Sequence, residues 1–168
     1  MMTFSIYSAL IPTSKHILQN QSKILDKAAA YAEEKQIDPS TLLAARLAPD
    51  MFPLSRQIQI ACDTVKKGAA RLAAVEAPVF DDTESTIPEL QARIAKTIAF
   101  LESIHENDFV GAEMRALKIP MGPEIVMDFT GEDYLNQWVL PNFYFHTTTA
   151  YDLLRQQGVA LGKRDFLG

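Results

Sequence analysis

The chain has 168 residues, 48% hydrophobic and 22% charged, which is the size of one domain and the composition of a folded one. A net charge of −5 argues against a nucleic-acid partner, which would need a surplus of lysine and arginine on one face. A single cysteine, Cys62, excludes an internal disulfide and any cysteine-rich zinc site.

The N-terminal stretch has no basic segment ahead of its apolar run and no small-residue cleavage site after it. No apolar run reaches the ~20 residues that span a bilayer. A reduced, cytoplasmic setting with no membrane partner is the expectation.

Taken in chain order, Tyr7, Leu10, Ser14, Ile17, Gln21, Ile24, Ala28 and Tyr31 recur at steps of three and four. That spacing predicts one long amphipathic helix over about 3–36, capped by Thr3 and disturbed by Pro12. Asp38-Pro39 is a second cap and opens a short helix from Ser40 to about Leu47. Pro49 and Pro53 interrupt the chain. Beyond them Met51, Leu54, Ile58, Ala61, Val65, Ala69 and Leu72 predict a second long helix to about Val75, with Asp50 as its cap. Gly68 in its middle weakens it by about 1 kcal/mol and is better explained by packing than by a break.

A connection rich in Pro, Asp and Thr follows. Thr86-Ile87-Pro88-Glu89 is a capping box, and Leu90, Ile94, Ile98, Leu101 and Ile104 carry a third long helix to near His105. Around Gly122-Pro123 the pattern changes to alternation, with Leu117, Ile119 and Met121 on one side and Ile125, Met127 and Phe129 on the other. This predicts a small β-hairpin. Thr130 then caps a fourth long helix that ends at Gly158. The fold class expected is all-α, a four-helix bundle with a short hairpin between the third and fourth long helices.

Dinucleotide, P-loop, hydrolase-elbow and zincin motifs are all missing from the sequence. Cys62 sits among apolar neighbours and is expected to be an inert core thiol. His16 falls on a polar face with Asn20, Lys23 and Lys27, and reads as solvated. His105, at a helix C-terminus, reads as a partner for the helix dipole.

His146 differs. Steps of three and four align Leu135, Val139, Asn142, His146, Ala150 and Leu153, so Asn142 and His146 interrupt an apolar stripe one turn apart. Pro141 beside them removes a backbone donor. The polar residues expected to meet them are Asp50 and Gln57, with Ser14 and Gln21 also facing inward. Asp50, Asn142, Gln57 and His146 are the candidate ligand-binding set; His146 and Asp50 are the candidate ligands for a divalent metal.

The segments RLAPDMFPLSRQIQIACD (46–63), NFYFHTTTAYDLLRQQG (142–158) and LGKRDFLG (161–168) resemble a bacterial family of unknown function in the DinB-like, YfiT-like superfamily. The resemblance covers the whole chain. It implies an up-down-down-up bundle, a homodimeric assembly, and a divalent metal held by three histidines, one on the second helix and two spaced His-x3-His on the fourth. Other members of that superfamily are thiol-dependent transferases. This chain departs from the pattern, because the neighbours of His146 one turn away are Asn142 and Ala150, and no histidine lies between Ile17 and Ser103.

Three functions therefore stand as expectations. One is a bundle that binds a small molecule at His146. Another is a metal-dependent hydrolase or transferase with a degenerate histidine site. The third is a non-enzymatic homodimeric module, motivated by Trp138, Phe143, Tyr144, Phe145 and Tyr151, which ring the last helix with aromatics.

Overall fold

A computed structural model describes residues 5–120 and 122–168. The first helix, α1, spans Ile6–Lys35 and starts where two serines close a reciprocal cap, Ser8 N to Ser5 Oγ at 3.1 Å and Ser5 N to Ser8 Oγ at 2.8 Å. Thr3, the cap expected from sequence, lies outside the described residues. The helix continues through Pro12, which is on its exposed side, where water can serve the carbonyl that proline leaves without a helical donor. It ends at Gln36 in the left-handed conformation.

Asp38 caps α2, Pro39–Leu43, by accepting from Ser40 N at 2.9 Å. That helix is shorter than the expected run to Leu47. The next long helix, α3, spans Leu54–Ala73 and is capped neither by Asp50 nor by any other side chain. Asp50 is exposed in the turn before it. Pro53 explains the difference: its ring pushes Phe52 out of helical geometry, so a helix can begin only after the proline. Met51 is left outside the helix for the same reason.

The capping box of Thr86 and Glu89 forms as its sequence predicts and opens α4, Ile87–Ser103. His105 does not belong to the last turn of α4. It stands at the start of a 3-10 turn, Glu106–Phe109, because the chain has already turned extended at Ile104. Strands β1 (Leu117–Pro120) and β2 (Val126–Phe129) pair antiparallel, with Leu117 opposite Phe129 and Ile119 opposite Met127. Ile119 is buried, and Leu117 and Phe129 pack partly on the helices, which holds a two-stranded sheet that would be marginal alone.

The last long helix is one continuous run in the sequence pattern and three pieces in the structure. A short turn α5, Gly131–Asp133, leads into a π-helical stretch, Tyr134–Val139, and then into α6, Leu140–Gln156. The π bonds reach five residues instead of four, as in Leu140 N to Leu135 O. The wider turn rotates α6 about its axis. Within α6 the fully buried positions are Phe143, Thr147, Ala150, Leu153 and Leu154, while Asn142 and His146 fall half-buried on the flank. At Val139 the segment presses against α3 so closely that a methyl group on Gly68 would stand 2.7 Å from Val139 Cγ1. Gly68 is therefore a packing glycine.

Within the core α1 packs on α4, and α3 packs on both α4 and α6. Leu10, Leu18, Leu54, Leu90, Leu101 and Phe143 are completely buried, each contributing about 1.5–3 kcal/mol of transfer free energy. After Gly158 the tail forms α7, Lys163–Leu167, which lies on α1. His16 is not simply solvated: its Nε2 bonds the Leu167 carbonyl, and Asn20 Nδ2 donates to Phe166 O at 3.1 Å. Lys27 adds an ion pair to Asp165 at 2.6 Å, and the Phe166 ring meets Tyr151 edge-on at 6.2 Å. Among the described residues no helix is long and apolar enough to cross a membrane.

Candidate functional site

Because α3 can start only at Leu54, Gln57 falls in its first turn, buried against α6. There its side-chain oxygen lies 2.7 Å from Nδ1 of His146. The amide nitrogen of Gln57 donates to the Phe52 carbonyl at 3.1 Å. Those two contacts fix the orientation of the amide, since only its nitrogen can donate and only its oxygen can accept. An amide oxygen beside Nδ1 requires the proton to be on Nδ1. The basic lone pair of His146 is consequently on Nε2, which has no partner among the described residues.

Burial, reinforced by the guanidinium of Arg56, lowers the pKa of His146 below the ordinary 6.5. The imidazole is neutral at pH 7, an acceptor and a weak base. The Phe145 ring stands at 89° to the imidazole with centroids 5.1 Å apart and is 55% exposed. The Phe52 ring, one residue from Pro53 and equally exposed, carries the Arg56 guanidinium at 6.0 Å.

Of the four residues proposed from sequence, the structure joins two. Asn142 turns back on its own helix, Nδ2 donating to the Trp138 carbonyl at 2.8 Å. Asp50 remains an exposed turn residue. Ser14 and Gln21 are buried on α1 as expected, yet Ser14 Oγ and both polar atoms of the Gln21 amide find no partner among the described residues, and neither side chain bonds His146. Cys62 is fully buried and its thiol is pushed up to about 12, so it is not a thiolate at neutral pH.

Among the described residues no three His, Cys, Asp or Glu side chains come together as a metal would need. His146 itself is oriented as a metal-binding histidine usually is, with its second nitrogen held by an oxygen. The donor set around it does not match. The side chain that α3 sets against the imidazole is an amide already engaged at both ends, and Asn142 is committed to Trp138. A three-ligand site does not fit these residues.

Sequence reasoning missed a buried cluster of charges centred on Arg93. Arg93 on α4 is 1% exposed and pairs with Asp63 at 2.9 Å, Asp82 at 2.9 Å and Glu84 at 3.0 Å. Lys66, equally buried, pairs with Asp63 at 2.9 Å and sits 4.0 Å over the Phe80 ring. Burial opposes the charge on Asp63, but the ammonium groups of Lys66 and Lys67 outweigh it and hold the carboxyl below its usual range. The cluster straps the connector between α3 and α4 onto both helices. A signal was present, since Arg93 follows Leu90 by three residues and precedes Ile94 on the buried stripe.

Residues 6–167 match the family described as "Domain of unknown function (DUF1993)". The chain belongs to that family. A solved structure of a DinB family member protein from Shewanella denitrificans is 43% identical, with a TM-score of 0.91, covering 97% of this chain and 92% of that one. The DUF1993 fold is thus of the DinB type. No curated protein matches the chain. The family resemblance carried by the 46–63 and 142–158 segments is confirmed, and those are the segments that bring Gln57 to His146.

Proposed function

We propose that this DUF1993 chain binds a small molecule at His146, through a hydrogen bond from the ligand to imidazole Nε2. The observation that carries the reading is the 2.7 Å contact between His146 Nδ1 and Gln57 Oε1. It spends one ring nitrogen on orientation and leaves the other as a neutral, directed acceptor. The exposed Phe145 ring beside the imidazole supplies an apolar face, so the fitting ligand has an N–H or O–H donor next to a flat apolar part. The site lies at the junction of α3 and α6, in a bundle of four long helices that we take to run up-down-down-up. The buried, unpaired Cys62 suits a reducing cytoplasm.

The reading needs no metal, and it makes a hydrolase or transferase built on three histidines the weaker alternative. A thermal-shift and ligand-detected NMR screen on the full chain tests it. Hits should disappear in His146→Ala and weaken in Gln57→Leu. Hits that survive His146→Ala unchanged, or a screen with none at all, would remove the reading.

The homodimer is the second reading, favoured by the 55% exposure of Phe145 beside His146. Light scattering separates the two. A dimer that dissociates in Phe145→Asp supports assembly through this face, whereas a monomer at every concentration leaves the face to a ligand.

A further inference from the structure

A second feature lies along α3, and it does not depend on the His146 reading. Arg56, Asp63, Lys67 and Arg71 follow one another at steps of seven, four and four, so they share one face of the helix. That face forms one wall of a groove of about 220 Å³. The opposite wall comes from the π-helical stretch, whose Tyr134 and Trp138 rings both line the groove. π-helical turns are rare and are found mostly at functional sites, because the widened turn re-aims side chains at a cost to the backbone. Here the residues it re-aims are the two aromatic ones.

The groove is positive in an acidic protein. Of its three lining cations Arg56 is already paired with Asp82, which leaves Lys67 and Arg71 against the single lining carboxylate Asp63, while the whole chain has a net charge of −5. The lone carboxylate is also already neutralised from behind, since Asp63 Oδ1 takes both buried Lys66 and buried Arg93 at 2.9 Å. Lys67 reaches Asp63 Oδ2 at 2.9 Å but is 54% exposed, so its ammonium keeps donors for a second partner. Arg71 donates to the Tyr134 hydroxyl at 2.8 Å with its guanidinium 5.9 Å from the same ring. This fixes the guanidinium at the groove edge and turns the phenolic proton away from it. The half-buried Trp138 indole provides a flat apolar face between the charges.

We propose that this groove binds an anion attached to an aromatic ring, the anionic group held by Lys67 and Arg71 and the ring lying against Trp138. Charge alone would take inorganic anions, and an aromatic wall alone would take neutral rings. The juxtaposition selects the molecule that carries both.

Trp138 is the chain's one tryptophan, so its fluorescence reports on the groove directly. Phenyl phosphate titrated into the full chain should give a saturable change with Kd below about 1 mM. Benzyl alcohol and inorganic phosphate, each lacking one half of the recognition, should bind at least about tenfold more weakly. Lys67→Gln, an exposed site, and Thr64→Glu, which adds a carboxylate to the groove wall, should each weaken phenyl phosphate by about tenfold or more in a chain that still unfolds cooperatively. Lys96→Gln on α4 and His146→Ala should bind as the wild type does, the latter separating this groove from the His146 site. The proposal is overturned by any of three results: no saturable change, inorganic phosphate binding as tightly as phenyl phosphate, or Lys67→Gln and Thr64→Glu both binding like wild type.

Discussion

His146 and Gln57, 89 residues apart in sequence, meet through a 2.7 Å hydrogen bond that joins α6 to the first turn of α3. Gln57 is in turn tied to Phe52, so one side chain orients the imidazole and fastens the turn ahead of its own helix. Replacing Gln57 by leucine removes both bonds and leaves the Phe52 carbonyl and His146 Nδ1–H to find other partners. The expected loss is about 1–3 kcal/mol in urea unfolding. A neutral result would mean that the two groups are served by water and that Gln57 does not hold the imidazole.

The lowered pKa of His146 carries a pH dependence with a definite sign. The unfolded imidazole takes up its proton near 6.5, while the folded one resists it through burial and Arg56. The unfolded state therefore binds more protons just below that value, and stability contributed by this group is full above 6.5 and declines as pH falls toward the folded pKa. Wild type should lose more thermal stability between about pH 7.5 and 5 than His146→Gln does. Parallel pH curves for the two proteins would show that the imidazole is not depressed.

Arg93 tests the strap between α3 and α4. Truncating it to alanine leaves Asp63 and Glu84 facing each other's charge with one cation fewer, in a site where the guanidinium was 1% exposed. A loss of about 3–5 kcal/mol is expected in urea unfolding at about pH 7. The deficit should narrow as pH falls through the lowered pKa of Asp63. Asp63 is held below its usual range, so its contribution is present above the unfolded pKa of 3.8 and lost as pH falls through the lower folded one. A change under about 1 kcal/mol at neutral pH would make the cluster a surface network of little weight.

Gly68→Ala sets helix propensity against packing. Alanine favours a helix interior by about 1 kcal/mol over glycine. Here the new methyl would meet Val139 Cγ1 at 2.7 Å and Cγ2 at 2.9 Å. Over-packing costs of about 1–3 kcal/mol should win, giving a net destabilisation in thermal melts. Val139→Ala in the same chain should recover part of it. A stabilised Gly68→Ala would show that the π-helical stretch can move away from α3.

How much of this was legible in the sequence depended on how local the cause was. Thr86 with Glu89, Asp38 with Pro39, and the helix stop at Gly158 are decided within a few residues, and each stands where its pattern puts it. The start of α3 was also a local matter, but two signals competed. Asp50 is a good cap, and Pro53, three residues later, sterically forbids the helix to include Phe52. The proline prevailed.

The phase of the last helix was legible in part: Leu135, Val139, Ala150 and Leu153 are buried as their spacing predicts. Asn142 and His146, expected to face inward, lie half-buried on the flank, because an α-helical step was extended through Tyr134–Val139, where the bonds reach one residue further. His16 was misread for another reason: its partner is the Leu167 carbonyl, 151 residues away, and a backbone acceptor leaves no mark in composition. The Arg93 cluster depended on carboxylates from an irregular connector, where no periodicity announces which side chains turn inward. His146 and Gln57 are the two of the four proposed residues that the structure brings together; His146 was picked out because a polar residue on an otherwise apolar stripe persists as a signal even when the phase is off by part of a turn.

The proposed binding site stands or falls with one proton: His146 presents a neutral Nε2 acceptor because Gln57 holds the hydrogen on Nδ1. Long-range nitrogen–proton NMR of the His146 ring, followed from about pH 8 to pH 4, measures tautomer and pKa together. The Nδ1–H tautomer is expected at neutral pH with a midpoint below 6.5, and Gln57→Leu should lose the tautomer preference. An Nε2–H tautomer, or a midpoint at or above 6.5 in the wild type, would contradict it.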